Sequence, residues 1–177
     1  MIQARIEHYL RDASLSYRFL HHPRAVTAQE AAEAEGISGW QLAKSVAVEL
    51  GSGEEVLCVV PAPTLVDLDA VCDLTHSRDA RLVEEERLRE LFPGCEPGAA
   101  PPLGGLWDLP VIGERALLEL DRIVVPGGDH ETMIELVTSE WLAHERPRLG
   151  AIAAMPGEPW KHAVAMKGQE PHPWHRP

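Results

Sequence analysis

AKSVAVELGSGEEVLCVV (43–60) decides the reading of the fold. Its first eight residues alternate: Lys44, Val46, Val48 and Leu50 share one face of a strand, and Ala43, Ser45, Ala47 and Glu49 share the other. GSGEE (51–55) is turn chemistry, and VLCVV (56–60) is apolar at every position, which suits a strand covered on both sides. Two strands joined this closely form an antiparallel hairpin.

Outward from the hairpin, helices and strands mix. QARIEHYLRDA (3–13) places Ile6, Tyr9 and Leu10 on one helical face, and Tyr17–Leu20 reads as a short strand. Thr27 and Glu30 form a capping box that opens a helix ending at Gly36. Downstream, DLDAV (67–71) and VEEERLRELF (83–92) read as helices. LPVIGERALLEL (109–120) reads as a short strand and then a helical turn, DRIVV (121–125) and TMIELV (132–137) as strands, and Thr138 or Ser139 as the cap of a last helix to Glu145. Without strict βαβ alternation, the expected class is α+β: a largely antiparallel, barrel-like mixed sheet flanked by helices. Beyond Pro147 no period survives. The expected organisation is therefore one domain over residues 1–146 and a Pro/His/Trp-containing tail over 147–177.

Charge narrows the range of functions. Residues 1–146 carry twelve basic and twenty-six acidic side chains, and residues 147–177 carry four and two. A body this acidic has no broad basic face for nucleic acid, so a polyanion would have to be gripped at a few points. Three cysteines without a CxxC pair argue for reduced thiols and a cytoplasmic setting, and no apolar run is long enough to span a membrane.

Lysine is scarce. Against thirteen arginines there are three lysines, two of them in the tail, so Lys44 is the body's only one. Sitting at the start of an apolar strand face, its ammonium should lie at a core edge, where water screens it poorly and an anion is bound more strongly. The plainer reading is that it snorkels outward or pairs with a carboxylate. Ser45 takes the opposite strand face, which disfavours a Ser–Lys dyad.

A second unusual stretch is LFPGCEPGAAPPLGGLW (91–107). Eight of the thirteen residues from Pro93 to Gly105 are Gly or Pro, and only Cys95 and Glu96 carry a polar or reactive side chain. Such a loop is stiff, and it exposes main-chain amides without side-chain bulk.

Taken in order, these pieces resemble the YbaK / prolyl-tRNA synthetase-associated editing-domain family. They are His22-Pro23 with TAQEAA (27–32), AKSV with Lys44, a strand ending at Pro61 before LVDLDAV, PGAAPPLG with Gly98, Pro102 and Gly104, LPVIGE, and GGDH (127–130). The resemblance implies hydrolysis of the ester that joins a wrong amino acid to the 3′-terminal adenosine of tRNA, with no metal and no organic cofactor. It implies that Lys44 grips a phosphate near that adenosine and that Gly98 to Pro102 form a backbone floor around the aminoacyl group. Gly98, Pro102 and His130 are then the expected catalytic positions. His22, Ser45, Gly94, Ala99, Ala100, Pro101 and Gly128 are the expected further substrate contacts.

A glycine-rich backbone suits this chemistry, because fixed amides can face a developing oxyanion. An aminoacyl ester is already activated, so a positioned water suffices, with the neighbouring ribose hydroxyl assisting. Expected partners are the 3′ acceptor end of aminoacyl-tRNA, tRNA-Pro or a similar species carrying Cys, Ala or Ser, and an aminoacyl-tRNA synthetase. Two other functions use the same fold: a non-catalytic tRNA- or synthetase-binding module, and a small-molecule esterase. Weaker site readings pair Cys95 with His130 as nucleophile and base, or gather His21, His22, Asp129 and His130 around zinc. The editing reading requires Lys44 and Gly98 to open onto one cavity.

Overall fold

The computed structural model describes residues 1–24 and 28–157. In chain order the elements are α1 (Ile2–Asp12), β1 (Tyr17–His21), α2 (Ala28–Ala34), β2 (Ala43–Leu50), β3 (Glu55–Pro61), β4 (Leu65–Val66), α3 (Leu68–Thr75), β5 (Ala80–Leu82) and α4 (Glu85–Leu91). There follow α5 (Gly104–Trp107), β6 (Val111–Glu114), a 3-10 turn (Arg115–Glu119), β7 (Arg122–Pro126), β8 (Thr132–Val137), α6 (Thr138–Glu145), β9 (Arg148–Gly150) and β10 (Ala153–Ala154). The class is α+β, as the mixed pattern implies. Thr27 and its capping box lie outside the described residues.

The hairpin is the centre of the molecule. β2 and β3 pair antiparallel with Lys44 opposite Val60, Val46 opposite Cys58 and Val48 opposite Val56. VLCVV is apolar on both sides because both sides are covered. Val56, Cys58 and Val60 pack with Leu68 and Val71 of α3, while Val59 joins Ile6, Leu10 and Trp141, and Leu57 joins Phe92 and Trp107. The five-stranded sheet runs β5-β2-β3-β6-β9, with β6 and β9 added parallel. A three-stranded antiparallel sheet runs β1-β8-β7.

The two large sheets do not close into a barrel. They meet at a single parallel bridge from Leu42 to Val124, supported by the Val124 amide donating to the Gln41 carbonyl at 2.8 Å. The seam between the sheets stays open, and the site lies in it.

The domain also runs past the expected boundary at 146. β9 pairs with β6, β10 pairs with β4, and Ile152 between them is fully buried against the α3 side of the core. Two- and three-residue strands between prolines show no period, so they read as tail. Their anchor is Glu114, a buried carboxylate whose Oε2 accepts the Ile152 and Ala153 amides at 2.7 Å each, and whose Oε1 accepts the Ala116 amide at 3.1 Å. The expected side-chain cap on α6 is absent: its N-cap is Val137, and the buried Thr138 hydroxyl has no hydrogen-bond partner among the described residues. The Thr138 amide instead donates to the Asp121 carbonyl at 3.0 Å, so the helix start is held by main chain.

Glu114→Ala strips three main-chain donors of their acceptor, two of them at the junction of β9 and β10. The expected cost is about 2–4 kcal/mol, since each buried unpaired donor costs roughly 1–3 kcal/mol. Urea unfolding of the full chain reads it directly; a midpoint equal to that of the parent protein would mean that the carboxylate holds nothing.

Candidate functional site

A hollow of about 400 Å³ opens in the seam where the start of β2 parts from the end of β7. Lys44 and Gly98 both line it, as the editing reading requires, together with Ala99, His22 and His130. Leu42, Ala43, Ala62, Val124, Val125 and Met133 supply an apolar wall, and Arg24, Asp129 and Thr132 complete the polar side.

Lys44 enters because its strand face is the core face. It shares that face with Val46, Val48 and Leu50, so its stem follows the core and its head reaches the open seam. Among the described residues the ammonium has neither a carboxylate partner nor a hydrogen-bond acceptor. Burial pushes its pKa down from 10.5 to about 8. It is still charged near neutral pH, and no neighbouring charge offsets the cost of burying it.

Gly98 is brought here by a two-way clasp. The Glu96 amide donates to the Gly128 carbonyl at 2.8 Å, and the Gly128 amide donates to the Ala99 carbonyl at 2.9 Å. Gly128 sits at φ +101 with Ile2 and Ile6 against its α-carbon, so a side chain there would meet both strain and collision. Gly98 differs: at φ +78 it needs glycine for its backbone conformation, yet an added Cβ would meet open space. Its amide has no acceptor among the described residues, whereas the Ala99 amide is committed to the Glu96 carbonyl. The hollow is thus lined by a recessed cation, Lys44, and by Gly98, each without a partner among the described residues.

The remaining expected site residues divide. Pro101 and Pro102 do not line the hollow; their carbonyls point into the core and accept the indole N–H groups of Trp107 (3.1 Å) and Trp141 (2.8 Å). These prolines stiffen the loop from behind. Gly94 packs against Ile2, away from the hollow. Ser45 and Ala100 face a second, smaller hollow of about 70 Å³ beside Phe92 and Cys95, on the other face of β2, as strand alternation demands. Gly98 stands between the two hollows. Gly128 acts on the loop rather than on the cavity. His22 is buried in the wall; its Nδ1 lies 3.2 Å from the Pro23 carbonyl, and its Nε2 has no partner among the described residues. His130 is half-exposed at the rim. Cys95 and His130 line different hollows and make no contact, and burial pushes the Cys95 thiol up to about 11, which suits neither nucleophile nor base chemistry.

Three residues near the rim, Arg24, Glu96 and Asp129, have no role in the editing reading of the sequence. Glu96 Oε1 binds Arg24 Nη2 at 2.6 Å and its Oε2 accepts the His130 amide at 2.9 Å; the bond from Arg24, then that from His130, holds the carboxyl below its ordinary pKa. Asp129 is the sole acid among the lining residues. Burial alone would raise its pKa, but the Glu131 and Thr132 amides and the Thr132 and Gln3 side chains outweigh it and keep the carboxylate ionised. Asp129 lies within GGDH and Glu96 within the Gly/Pro loop, but their roles come from contacts made by folding.

The aminoacyl-tRNA editing domain model matches residues 22–143, more than half of the sequence. The chain belongs to this family. Among solved structures, the fold is similar to a candidate trans-editing enzyme for prolyl-tRNA synthetase, with 25% identity, a TM-score of 0.76, and 86% of this chain and 97% of that one covered. It is also similar to the hypothetical protein APE2540 (21% identity, TM-score 0.74, 85% and 99% covered). A candidate signal transduction protein from Marinobacter aquaeolei VT8 shares the fold over 30% of its own length (16% identity, TM-score 0.67, 85% of this chain). No curated protein matches the sequence. Among the described residues no helix is long and apolar enough to cross a membrane.

The lone ammonium makes a stability prediction with a defined sign. Below about pH 8 both folded and unfolded chains carry the Lys44 charge, and only the folded chain bears the cost of burying it. Between about 8 and 10.5 the folded lysine is neutral while the unfolded one is still protonated, so the penalty fades as pH rises. Lys44→Met should therefore stabilise the protein at pH 7, by on the order of 1–3 kcal/mol, and the gain should shrink toward zero near pH 10.5. Denaturant unfolding at both pH values checks it. A destabilised Lys44→Met protein at pH 7 would mean that the lysine serves the fold.

Proposed function

We propose that the protein is a trans-editing aminoacyl-tRNA deacylase, and that the hollow between the sheets receives the aminoacylated 3′ end. The single observation that carries this reading is that the Lys44 ammonium, without a partner among the described residues, lines the same hollow as Gly98, whose amide has no acceptor there either. One can hold a phosphate; the other can hold an oxyanion. The hollow is near the low end of the roughly 300–1,000 Å³ typical of small-ligand sites, so it suits a terminal nucleoside with a small acyl group rather than a folded RNA surface.

In this reading Lys44 binds a phosphate of the terminal nucleotide, where burial strengthens the attraction. The ester carbonyl lies against the Gly98 amide. Water attacks the acyl carbon, the carbonyl oxygen becomes the oxyanion and is held by that amide, and the bond to the ribose 3′ oxygen breaks. The proton lost by water passes, through the neighbouring 2′ hydroxyl, to the leaving 3′ oxygen. The products are a free amino acid and an uncharged tRNA. Asp129, ionised in the wall, meets the substrate's α-ammonium, and His130 at the rim orients the entering end.

The apolar wall makes the edited residue a small one such as alanine, cysteine or serine. Such a wall separates side chains by volume, worth only about 1–3 kcal/mol per methylene. A prolyl-tRNA synthetase that mischarges its tRNA is the natural source of substrate, by analogy with the solved relative named for that role.

The test is deacylation of tRNA-Pro charged with Ala, Cys, Ser or Pro. At least one mischarged species should be hydrolysed faster than the Pro-charged one. Lys44→Ala should lower the rate by about 10²-fold or more, the scale expected when one well-placed electrostatic contact is lost. Activity should also fall as pH rises through about 8, as the ammonium is lost. Binding without turnover would favour a non-catalytic module, and hydrolysis of simple esters that ignores Lys44 would favour a small-molecule esterase.

A further inference from the structure

We propose that Arg24 is a second phosphate contact for the substrate's single-stranded 3′ end, aimed by Glu96; this rests on the editing reading above. Arg24 lines the same hollow as Lys44, and among the described residues these two are the only Lys or Arg side chains in its wall. Lys44 is recessed. The Arg24 side chain is 59% exposed, so the two cations sit at different depths of one opening. A strand that places its terminal phosphate at Lys44 must still leave through the rim, and Arg24 stands there with the phosphate that follows.

Glu96 makes Arg24 a fixed contact rather than a waving one. Its carboxylate is held by the His130 amide, its own amide is bonded to the Gly128 carbonyl, and its free oxygen takes Arg24 Nη2 at 2.6 Å. A guanidinium has five N–H donors, so binding Glu96 through Nη2 leaves others for a phosphate, and planar fork geometry favours such dual engagement. An exposed ion pair contributes little to folding, so the pairing with Glu96 is poorly explained by stability alone. In a body with more than twice as many acidic as basic side chains, each local cation weighs heavily in RNA binding.

The readout is the salt dependence of binding to an uncharged tRNA-Pro acceptor minihelix with a free 3′ end. Each phosphate contact on a single strand contributes about 0.7 to the slope of log affinity against log salt. Arg24→Ala and Arg24→Gln should each lower the slope by about that amount, so that affinity falls roughly 2–3-fold less than in the parent between 50 and 200 mM salt. The Gln variant keeps a hydrogen-bond donor for Glu96, which separates loss of charge from loss of loop geometry. Arg24→Lys should retain the slope, and the Lys44→Ala decrement should add to that of Arg24→Gln. If the parent protein binds and deacylates but Arg24→Gln keeps the parent slope, the inference fails while the editing reading stands. If the parent neither binds the minihelix nor deacylates, both fail together.

Discussion

The site depends on one reciprocal pair of main-chain hydrogen bonds, Glu96 to Gly128 and Gly128 to Ala99. The loop they hold is almost free of side chains that could position it by packing. Proline stiffens it, yet stiffness does not say where a loop lies. Position comes from Gly128, whose lack of a side chain makes room for Ile2 and Ile6 of α1 and whose left-handed backbone turns both its amide and its carbonyl toward the loop. The indoles of Trp107 and Trp141 fix the far side through the Pro101 and Pro102 carbonyls. Between these two sets of anchors Gly98 is left with its amide unpaired at the edge of the hollow, a pre-set donor that need not reorganise when charge develops.

Lys44 stands in opposition to this economy. A well-packed fold avoids a recessed cation without a partner, because the charge loses its hydration and gains no counter-ion. Here the strand's own alternation drives the ammonium inward, and the open seam keeps it in reach of a ligand. The same failure of the sheets to close that leaves β2 and β7 joined at one bridge leaves room for an anion beside Lys44. Open architecture and unpaired charge are two aspects of one arrangement, in which folding stability is given up at the position where binding needs it.

How much of this was legible depended on whether the signal was periodic. The hairpin 43–60 was readable because two long strands repeat their pattern, and β3 showed its double coverage as an unbroken apolar run. β5, α5, β9 and β10 span two to four residues each and owe their existence to neighbours, so no local pattern announced them. Within the site, Lys44 was legible through scarcity and strand phase, and Gly98 through its loop. Arg24, Glu96 and Asp129 were not, since ordinary charged residues acquire meaning only from the contacts that folding gives them. Pro101 and Pro102 were misplaced for a different reason. A motif shows which residues a loop contains but not which way their carbonyls turn, and here both turn toward tryptophan.

The hollow also separates affinity from selection. If the hollow receives the aminoacylated end as proposed, its cationic groups, Lys44 in the depth and Arg24 at the rim, would address phosphates that every tRNA carries, and so could not distinguish one acyl group from another. In that reading the wall that would meet the acyl group is mainly aliphatic, from Leu42, Ala43, Ala62, Val124, Val125 and Met133, with His22 and Thr132 as its buried polar members. A wall of that kind excludes by size and accepts whatever fits, with modest preference among small residues. The proposed hydrolysis uses main chain, which is indifferent to the identity of the acyl side chain. On that proposal, discrimination against correctly charged tRNA would rest on the space beside Gly98, and substitutions at Ala43 or Ala62 would move that limit more than any change to the phosphate contacts.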